Sequence, residues 1–315
     1  MIYSVCHITR FRYKPPVRES MMEVRMQPRS EGNQRCLSFE LKVMPDAVLM
    51  QYRDFLGNAV HHFDIAGKHG ELNVRAESVV EIMPGSADQE PVTWAQLDAA
   101  VERGNFWDML LPSDFARPTK LLQHLMQDLG FERKAMPMDT LLEINHGIHE
   151  TFAYTPKSTT VDSPIDHAIS ERKGVCQDFA HIMIALLRFM KVPSRYVSGY
   201  LFHANGDQAS AAEGASHAWV EAFLPGLGWI GLDPTNDMLC GERHIRVAVG
   251  RDYAEVPPTR GVYKGGGESE LSVAVTVGLS HSTPPGELAP VMIERRTPPP
   301  SLDSRVAQQQ EQQQQ

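Results

Sequence analysis

The stretch GVCQDFAHIMIALLRFM, from Gly174 to Met190, decides how the second half of this chain folds. One cysteine, Cys176, stands where a loop passes into a strongly apolar run. The apolar residues of that run recur at intervals of three and four positions, which predicts a helix that begins at or just after Cys176 and has a buried face. Pro193 ends the pattern because a proline cannot continue a helix. The sequence therefore places a cysteine at the amino terminus of a buried helix.

Three strand-like segments follow this helix, with the sequences RYVSGYLF, HAWVEAFL and GWIGLDP. Each is short and rich in β-branched or aromatic residues, and the turn PGLG joins the second to the third as a hairpin. A buried helix beside antiparallel strands predicts an α+β core. His217 opens the second segment, and Asp233, restricted to extended backbone by Pro234, closes the third.

Cys176, His217 and Asp233 are the residue types of a nucleophilic catalytic triad. A cysteine attacks as a thiolate, and both a helix amino terminus and a nearby imidazolium favour that form. Cys176 is placed for the first effect, and His217 could supply the second. Asp233 would hold the imidazole in one orientation, which completes a set of nucleophile, base and orienting carboxylate.

Each of these three residues also has a purely structural interpretation. Free cysteine is among the most buried residue types, so a lone cysteine before an apolar helix is more often a core residue than a catalytic one. His217 could be an ordinary strand residue, and Asp233 an ordinary turn opener before proline. The ordered combination of the three favours the catalytic interpretation.

Two longer segments carry a family resemblance. GVCQDFAHIMIALLRFMKVPSRYVSGY followed by SHAWVEAFLPGLGWIGLDPTND resembles the catalytic core of the transglutaminase-like superfamily, in particular the bacterial transglutaminase-like cysteine proteases. The resemblance covers about residues 152–267, and the β-rich part that ends near Pro84 resembles the amino-terminal domain that accompanies this core in that family. It implies an α+β fold of the papain/transglutaminase type, with Cys176 as nucleophile, His217 as base and Asp233 as the orienting carboxylate.

The reaction that this resemblance implies is acyl transfer from an amide or peptide bond through a thioester. Hydrolysis is the expected outcome, because the bacterial protease branch implies it; a protein-crosslinking transamidase and a non-catalytic peptide-binding scaffold of the same fold are the alternatives. The backbone N–H of Cys176 is one candidate oxyanion donor. Tyr154, in FAYTP, is a second, with a plain core role as its alternative. Trp219 and Trp229 are expected to wall the core, or else to form a rim of the substrate cleft.

Four regions are predicted along the chain. Short β-rich segments separated by turn signals predict a small antiparallel β domain over residues 1–84. Helical periodicity predicts a connecting region packed on the core over residues 85–150, before the catalytic core at 151–282. The Pro/Gln-rich tail at 283–315 is predicted to be disordered, because it cannot bury enough apolar surface to offset the entropy of ordering.

Composition narrows the partners and the compartment. The formal charge is -9 and the chain has no Lys/Arg-rich run, so it lacks the basic surface expected of a nucleic-acid or anionic-membrane binder. Peptide or protein amide substrates are the expected partners. No signal-peptide pattern and no apolar run of membrane-spanning length stand out, which predicts a cytoplasmic protein.

No cofactor and no metal are expected. The four cysteines have no CxxC or Cys/His spacing, and no calcium loop of the DxDxDG type is present. His146 and His149, in HGIHE, lie one turn apart on a predicted helix. They lack the HExxH order of a zinc protease, which favours a solvated face over a metal site.

Overall fold

A computed structural model describes residues 1–85, 90–104, 106–204, 216–265, 268–280 and 308–311 of this 315-residue chain. The described residues divide into two compact units. The first unit contains Met1–Ile82 and the described residues from Pro257 onward, and the second contains Met83–Val256. Each has its own cluster of buried apolar side chains.

Antiparallel strands and short helices make up both units. The strands, in chain order, are β1 Ile2–Val24, β2 Gln34–Met44, β3 Met50–Arg53, β4 Ala59–Ile82, β5 Ala153–Tyr154, β6 Lys173–Gly174, β7 Ser194–Leu201, β8 His217–Leu224, β9 Gly228–Asp233, β10 Met238–Leu239, β11 His244–Gly250, β12 Thr259–Lys264, β13 Glu268–Leu279 and β14 Gln308–Glu311. The α-helices are α1 Trp94–Arg103, α2 Trp107–Leu110, α3 Lys120–Asp128, α4 Pro137–Thr151, α5 Ile165–Glu171 and α6 Cys176–Phe189.

The first unit is built on two long strands, β1 and β4, which pair antiparallel along most of their length. The sequence predicts short strands separated by turn signals here, whereas β1 contains Pro15 and Pro16. The structure instead carries β1 through the prolines, with shifts of register between Arg12 and Glu19. Local irregularities of this kind absorb residues that cannot join the ladder, so the strand continues beyond them.

The boundary between the regions differs from the predicted one. β12 and β13 both pair antiparallel with β1, so these strands belong to the first unit, and the second unit, which contains the predicted core, ends at Val256 rather than at residue 282. The alternating pattern of β13 predicts a strand but not its partner, because alternation fixes which face is buried and not which edge is met.

The tail also differs in part. Gln308–Glu311 forms β14, which pairs antiparallel with β12, although the whole tail is predicted to be disordered. A polar segment can pair through its backbone alone, which side-chain composition does not reveal. Residues 283–307 and 312–315 lie outside the described residues.

The second unit packs helices against a five-stranded antiparallel sheet with the strand order β10-β9-β8-β7-β11. Residues from α1, α3 and α4 join the same buried cluster as α6 and the sheet. The helices predicted from the sequence in this region are present, although the segment starting at Thr93 is divided into α1 and α2. The α+β class predicted from the sequence is confirmed.

Burial of α6 exceeds the prediction of one apolar face. Every residue of this helix except Phe189 is buried. Its polar side chains are accommodated by partners: Arg188, for example, donates hydrogen bonds to the carbonyl oxygens of Ser194 (3.0 Å) and Arg251 (2.7 Å). Such pairing is what makes a buried charge tolerable.

Candidate active site

The start of α6 is fixed by a buried carboxylate. Asp178 accepts hydrogen bonds through the same oxygen from the backbone N–H of Val175 (2.8 Å) and the hydroxyl of Thr159 (2.6 Å). Burial raises the pKa of Asp178, and these two hydrogen bonds oppose the rise. A Cβ on Gly174 would lie 2.9 Å from the Asp178 side chain, so a glycine is needed there. Cys176 is thus the first residue of a helix whose entry is held by these contacts.

The hairpin of β8 and β9 brings His217 and Asp233 to one face. Val220 pairs with Leu232, so Asp233 follows in register opposite Trp219, two residues from His217. Side chains two residues apart on a strand share a face. His217 Nε2–H donates to Asp233 Oδ2 at 2.8 Å, and both residues are almost completely buried.

The Asp233 carboxylate is saturated with hydrogen bonds. Oδ1 accepts from the backbone N–H groups of Thr235 (3.0 Å) and Asn236 (3.3 Å). Oδ2 accepts from the Asn236 amide (2.7 Å), from His217 and from a second imidazole, that of His244 (3.2 Å). Five donors on one buried carboxylate stabilise its ionised form.

The charges of this cluster are tightly linked. Burial disfavours the imidazolium of His217, but the charge and hydrogen bond of Asp233 outweigh it and hold the pKa well above the ordinary value of 6.5. Burial likewise disfavours the carboxylate, and His217 and His244 outweigh it and hold the pKa of Asp233 well below its ordinary value. Both directions favour an imidazolium on His217 beside a carboxylate on Asp233.

Cys176 interacts with the imidazole of His217. Its hydrogen bond and charge contribute to the rise in the pKa of His217. Nε2 of His217 faces Asp233 Oδ2, which leaves Nδ1 as the nitrogen open to the thiol. Among the described residues Nδ1 has no hydrogen-bond partner of ordinary geometry, so any contact with the thiol is looser than a full hydrogen bond. Loose contacts of this kind are common in sites without substrate.

Cys176 and His217 each occupy the first position of their element, α6 and β8. The β8 residues that join the buried cluster with α6 are even-numbered: Ala218, Val220, Ala222 and Leu224. His217 and Trp219 therefore point to the opposite face of the strand. His217 is the first residue of β8 and Cys176 the first residue of α6, so their interaction lies at the ends of both elements, although the helix packs on the other face of β8.

Trp219 packs beside both imidazoles. Its ring centroid lies 6.0 Å from that of His217 and 5.2 Å from that of His244, and the side chain is fully buried. Complete burial agrees with the predicted role of Trp219 as a wall of the core. Trp229 lies elsewhere on the sheet, under the guanidinium of Arg195 at 4.3 Å.

The helix α4 anchors the turn that carries Asp233. His146 Nδ1–H donates to Asp237 Oδ2 at 2.7 Å, and His149 Nδ1–H donates to the carbonyl oxygen of Thr235 at 3.0 Å. The hydrogen bond and charge of Asp237 raise the pKa of His146. His146 is exposed, as predicted for a solvated face, and both histidines also contact the loop after β9. The two partners lie far along the chain, which helical spacing alone cannot reveal.

Tyr154 lies beside the helix entry. In β5 it pairs with Gly174 of β6, and its ring meets that of Phe179 edge-on at 6.5 Å between centroids. The side chain is partly buried against the core cluster. Tyr154 is therefore paired with a residue two positions before Cys176. Its role as an oxyanion donor stays a prediction.

A further residue group could in principle hold a metal. The ligand atoms of His217, Asp233 and His244 lie within 4.8 Å of one another. Both imidazole Nε2 atoms already face Asp233 Oδ2, so metal binding would require them to give up these hydrogen bonds.

Among the described residues, no helix is long and apolar enough to cross a membrane.

Comparisons with known proteins identify the family of this chain. Residues 3–81 match the bacterial transglutaminase-like N-terminal region, and residues 126–234 match the transglutaminase-like superfamily. An uncharacterised protein of Mycobacterium leprae is 34% identical over 275 residues, which cover 87% of this chain and 97% of that protein. The chain belongs to the bacterial transglutaminase-like family. The family resemblance stated from the sequence is confirmed.

Two other bacterial proteins resemble this family member. A candidate cysteine protease from Cytophaga hutchinsonii has the same fold, with a TM-score of 0.68 and 21% identity over 88% of this chain and 90% of that one. A protein-glutamine gamma-glutamyltransferase of Pseudomonas aeruginosa is 37% identical over 92 residues, which cover 28% of this chain and 14% of that protein. The bacterial transglutaminase-like chain thus has the fold of cysteine-dependent acyl-transfer proteins.

Proposed function

We propose that this protein is a cysteine-dependent amidase or peptidase that acts through Cys176, His217 and Asp233. One arrangement supports the proposal: a cysteine at a helix amino terminus interacts with the imidazole of His217, whose Nε2 is held by a buried carboxylate. A nucleophile, a base and an orienting group in that order are what thiol acyl transfer requires. The substrate class is a peptide or protein amide.

The first half-reaction forms a thioester. The Cys176 thiolate attacks the amide carbonyl carbon, and the carbonyl oxygen gains the negative charge. As the C–N bond breaks, the His217 imidazolium transfers its Nδ1 proton to the departing nitrogen, which leaves as an amine. Asp233 stays ionised throughout, because five hydrogen bonds hold it in that form.

The second half-reaction hydrolyses the thioester. Neutral His217 takes a proton from water, whose oxygen attacks the acyl carbon, and the C–S bond breaks to release the carboxylic acid. The oxyanion of each step needs preorganised donors. The backbone N–H of Cys176 lies in the first turn of α6, where helices leave N–H groups unpaired, and the hydroxyl of Tyr154 is the proposed second donor.

Transamidation is the second candidate. It is favoured by the likeness of 92 residues to a protein-glutamine gamma-glutamyltransferase. The thioester would then pass to an amine instead of water, with the same roles for Cys176 and His217. Whether water or an amine accepts the acyl group depends on the access of water to the thioester.

Activity profiling tests the proposal. We expect the protein to cleave members of a peptide and amide library and Cys176→Ala to lose all turnover. Cys36→Ala is the matched control, because burial raises the pKa of Cys36 to about 11 and its thiol is not an activated nucleophile. Adding a fluorescent primary amine separates the candidates: free acid indicates hydrolysis, whereas amine incorporated into the acyl product indicates transamidation.

A full-activity Cys176→Ala protein would overturn the acyl-enzyme mechanism. Binding of peptides without turnover, equal in the parent and in Cys176→Ala, would instead show the non-catalytic scaffold. The cytoplasmic location predicted from the sequence stays a prediction, and cell fractionation with an antibody to the native chain would check it.

A further inference from the structure

A second histidine lies on the orienting carboxylate. His244 is the first residue of β11, and its side chain is almost completely buried. Its Nε2 lies 3.2 Å from Asp233 Oδ2, the oxygen that also accepts from His217 at 2.8 Å. The two imidazole rings lie 6.3 Å apart between centroids. The match to the transglutaminase-like superfamily ends at residue 234, so the family comparison assigns His244 no role.

The hydrogen bonds of His244 fix its tautomer. Nδ1 lies 3.3 Å from the backbone nitrogen of Gly241, which can only donate, so Nδ1 carries no proton. Asp233 is ionised and can only accept, so the proton of His244 is on Nε2. The ring is therefore neutral and gives Asp233 a hydrogen bond without a second positive charge.

This charge state suits an orienting role. A protonated His244 would compete with His217 for the single negative charge of Asp233. Burial lowers the pKa of His244, and the charges of His217 and Arg243 act in the same direction, against the hydrogen bond that His244 donates to Asp233 and the charge of Asp233. The carboxylate is left with one cationic partner, His217.

We propose that His244 is a positioning residue: its neutral Nε2–H holds the Asp233 carboxylate and, through it, keeps His217 Nδ1 directed at Cys176. The inference rests on the proposed function of Cys176 and His217. Among the described residues the side-chain hydrogen bonds of His244 go to Asp233 and Gly241, so its effect on His217 passes through Asp233. Asn236, on the same oxygen, supplies the third donor.

Alkylation of Cys176 by iodoacetamide tests this without a known substrate. At about pH 6 an isolated thiol is almost entirely protonated, so fast alkylation requires an oriented imidazolium. We expect His244→Leu in the full-length protein to slow alkylation of Cys176 about tenfold at that pH, because a hydrogen bond to a charged group is lost. At about pH 9, where thiols ionise unaided, the rates should converge.

A conservative variant separates positioning from packing. His244→Gln keeps an N–H donor near the position of Nε2 and cannot titrate, so we expect alkylation within about threefold of the parent at the same pH. His124→Leu, at an exposed position, is the matched control and should alkylate like the parent. Equal rates for the parent and His244→Leu, or equally slow rates for Leu and Gln, would overturn the inference.

Alkylation of the parent protein distinguishes failure of the proposed function from failure of the inference about His244. If Cys176 of the parent reacts no faster than Cys36 at about pH 6, the proposed function fails. If Cys176 is alkylated selectively, and equally fast in the parent and in His244→Leu, only the role of His244 fails. Should His244→Leu not fold, long-range proton–nitrogen correlation spectra of the parent still decide: a neutral Nε2–H tautomer supports the inference, and an Nδ1–H tautomer or an imidazolium overturns it.

Discussion

Gly199 of β7 leaves the space that the indole of Trp219 occupies. A Cβ on Gly199 would lie 2.5 Å from the edge of the indole and 2.2 Å from the carbonyl oxygen of Ile245. Trp219 in turn packs beside His217, and Gly199 is the residue paired with His217 across the β7–β8 ladder. The absence of a side chain at Gly199 therefore permits the packing of Trp219 beside the His217 imidazole.

Replacing this glycine should disturb both stability and reactivity. We expect Gly199→Ala to destabilise the protein by about 1–3 kcal/mol, because the backbone oxygen of Ile245 cannot yield as a flexible side chain would. Displacement of Trp219 should also slow the alkylation of Cys176. Urea unfolding and iodoacetamide kinetics measure the two effects. Gly85→Ala is the control, because its Cβ would meet nothing within 4 Å.

The entry of α6 gives a second prediction. Asp178→Ala should cost about 2–3 kcal/mol, because the N–H of Val175 and the hydroxyl of Thr159 would be left buried without an acceptor. Asp178→Asn should lose less than half as much, since both donors use one oxygen, which an amide can also present. Thermal or urea unfolding of the two variants checks this. An Asn variant as unstable as the Ala variant would show that the negative charge matters more than the acceptor.

The elements that the sequence predicts well are those with local signals. Apolar spacing and Pro193 predict α6, and the alternation in β8 and β9 requires Asp233 to pair with an odd-numbered residue if it is to share a face with His217. The structure has this register, with Asp233 opposite Trp219. Strands repeat every two residues and helices every three to four. These periods depend only on residues near one another in the chain, so a single sequence is enough to detect them.

The contacts that sequence reasoning misses join distant segments. His244 lies eleven residues beyond Asp233 in an ordinary strand, and HIRVAVG has no pattern that distinguishes a ligand of a carboxylate from a core histidine. Gly199 shows no turn signal because its role is close packing. The pairing of β13 with β1 joins the two ends of the chain, and strand alternation carries no information about such partners.

A buried histidine outside the site predicts how stability depends on pH. His181 of α6 accepts a hydrogen bond from the backbone N–H of Tyr253 (3.2 Å), and burial lowers its pKa from 6.5 to about 4. Between these values the unfolded chain binds a proton that the folded chain does not. Its contribution is therefore fully present above pH 6.5 and is lost as the pH falls toward 4, by up to about 3 kcal/mol.

Substitution of His181 should remove its contribution to the pH dependence of stability. Glutamine at this position keeps an acceptor for Tyr253 but has no proton to gain, so His181→Gln should be less stable than the parent at neutral pH and lose less on acidification. The measurement is the melting temperature across that pH window. His124→Gln, at an exposed position, should behave like the parent. Parallel pH profiles for the parent and His181→Gln would assign the acid sensitivity to other groups, such as His7.

The last prediction follows from where the two units divide. A fragment of residues 83–280 would retain β12 and β13 but lose β1, the strand with which both pair. Their backbone groups and the apolar side chains of β13 would be exposed as unpaired edges, which promote aggregation. A fragment of residues 83–256 carries neither strand and keeps every residue of the buried apolar cluster that contains Cys176. We expect the shorter fragment to elute as a soluble species with selectively alkylated Cys176, and the longer one to aggregate. The reverse result would mean that β12 and β13 stabilise the second unit, so that the catalytic core extends beyond Val256.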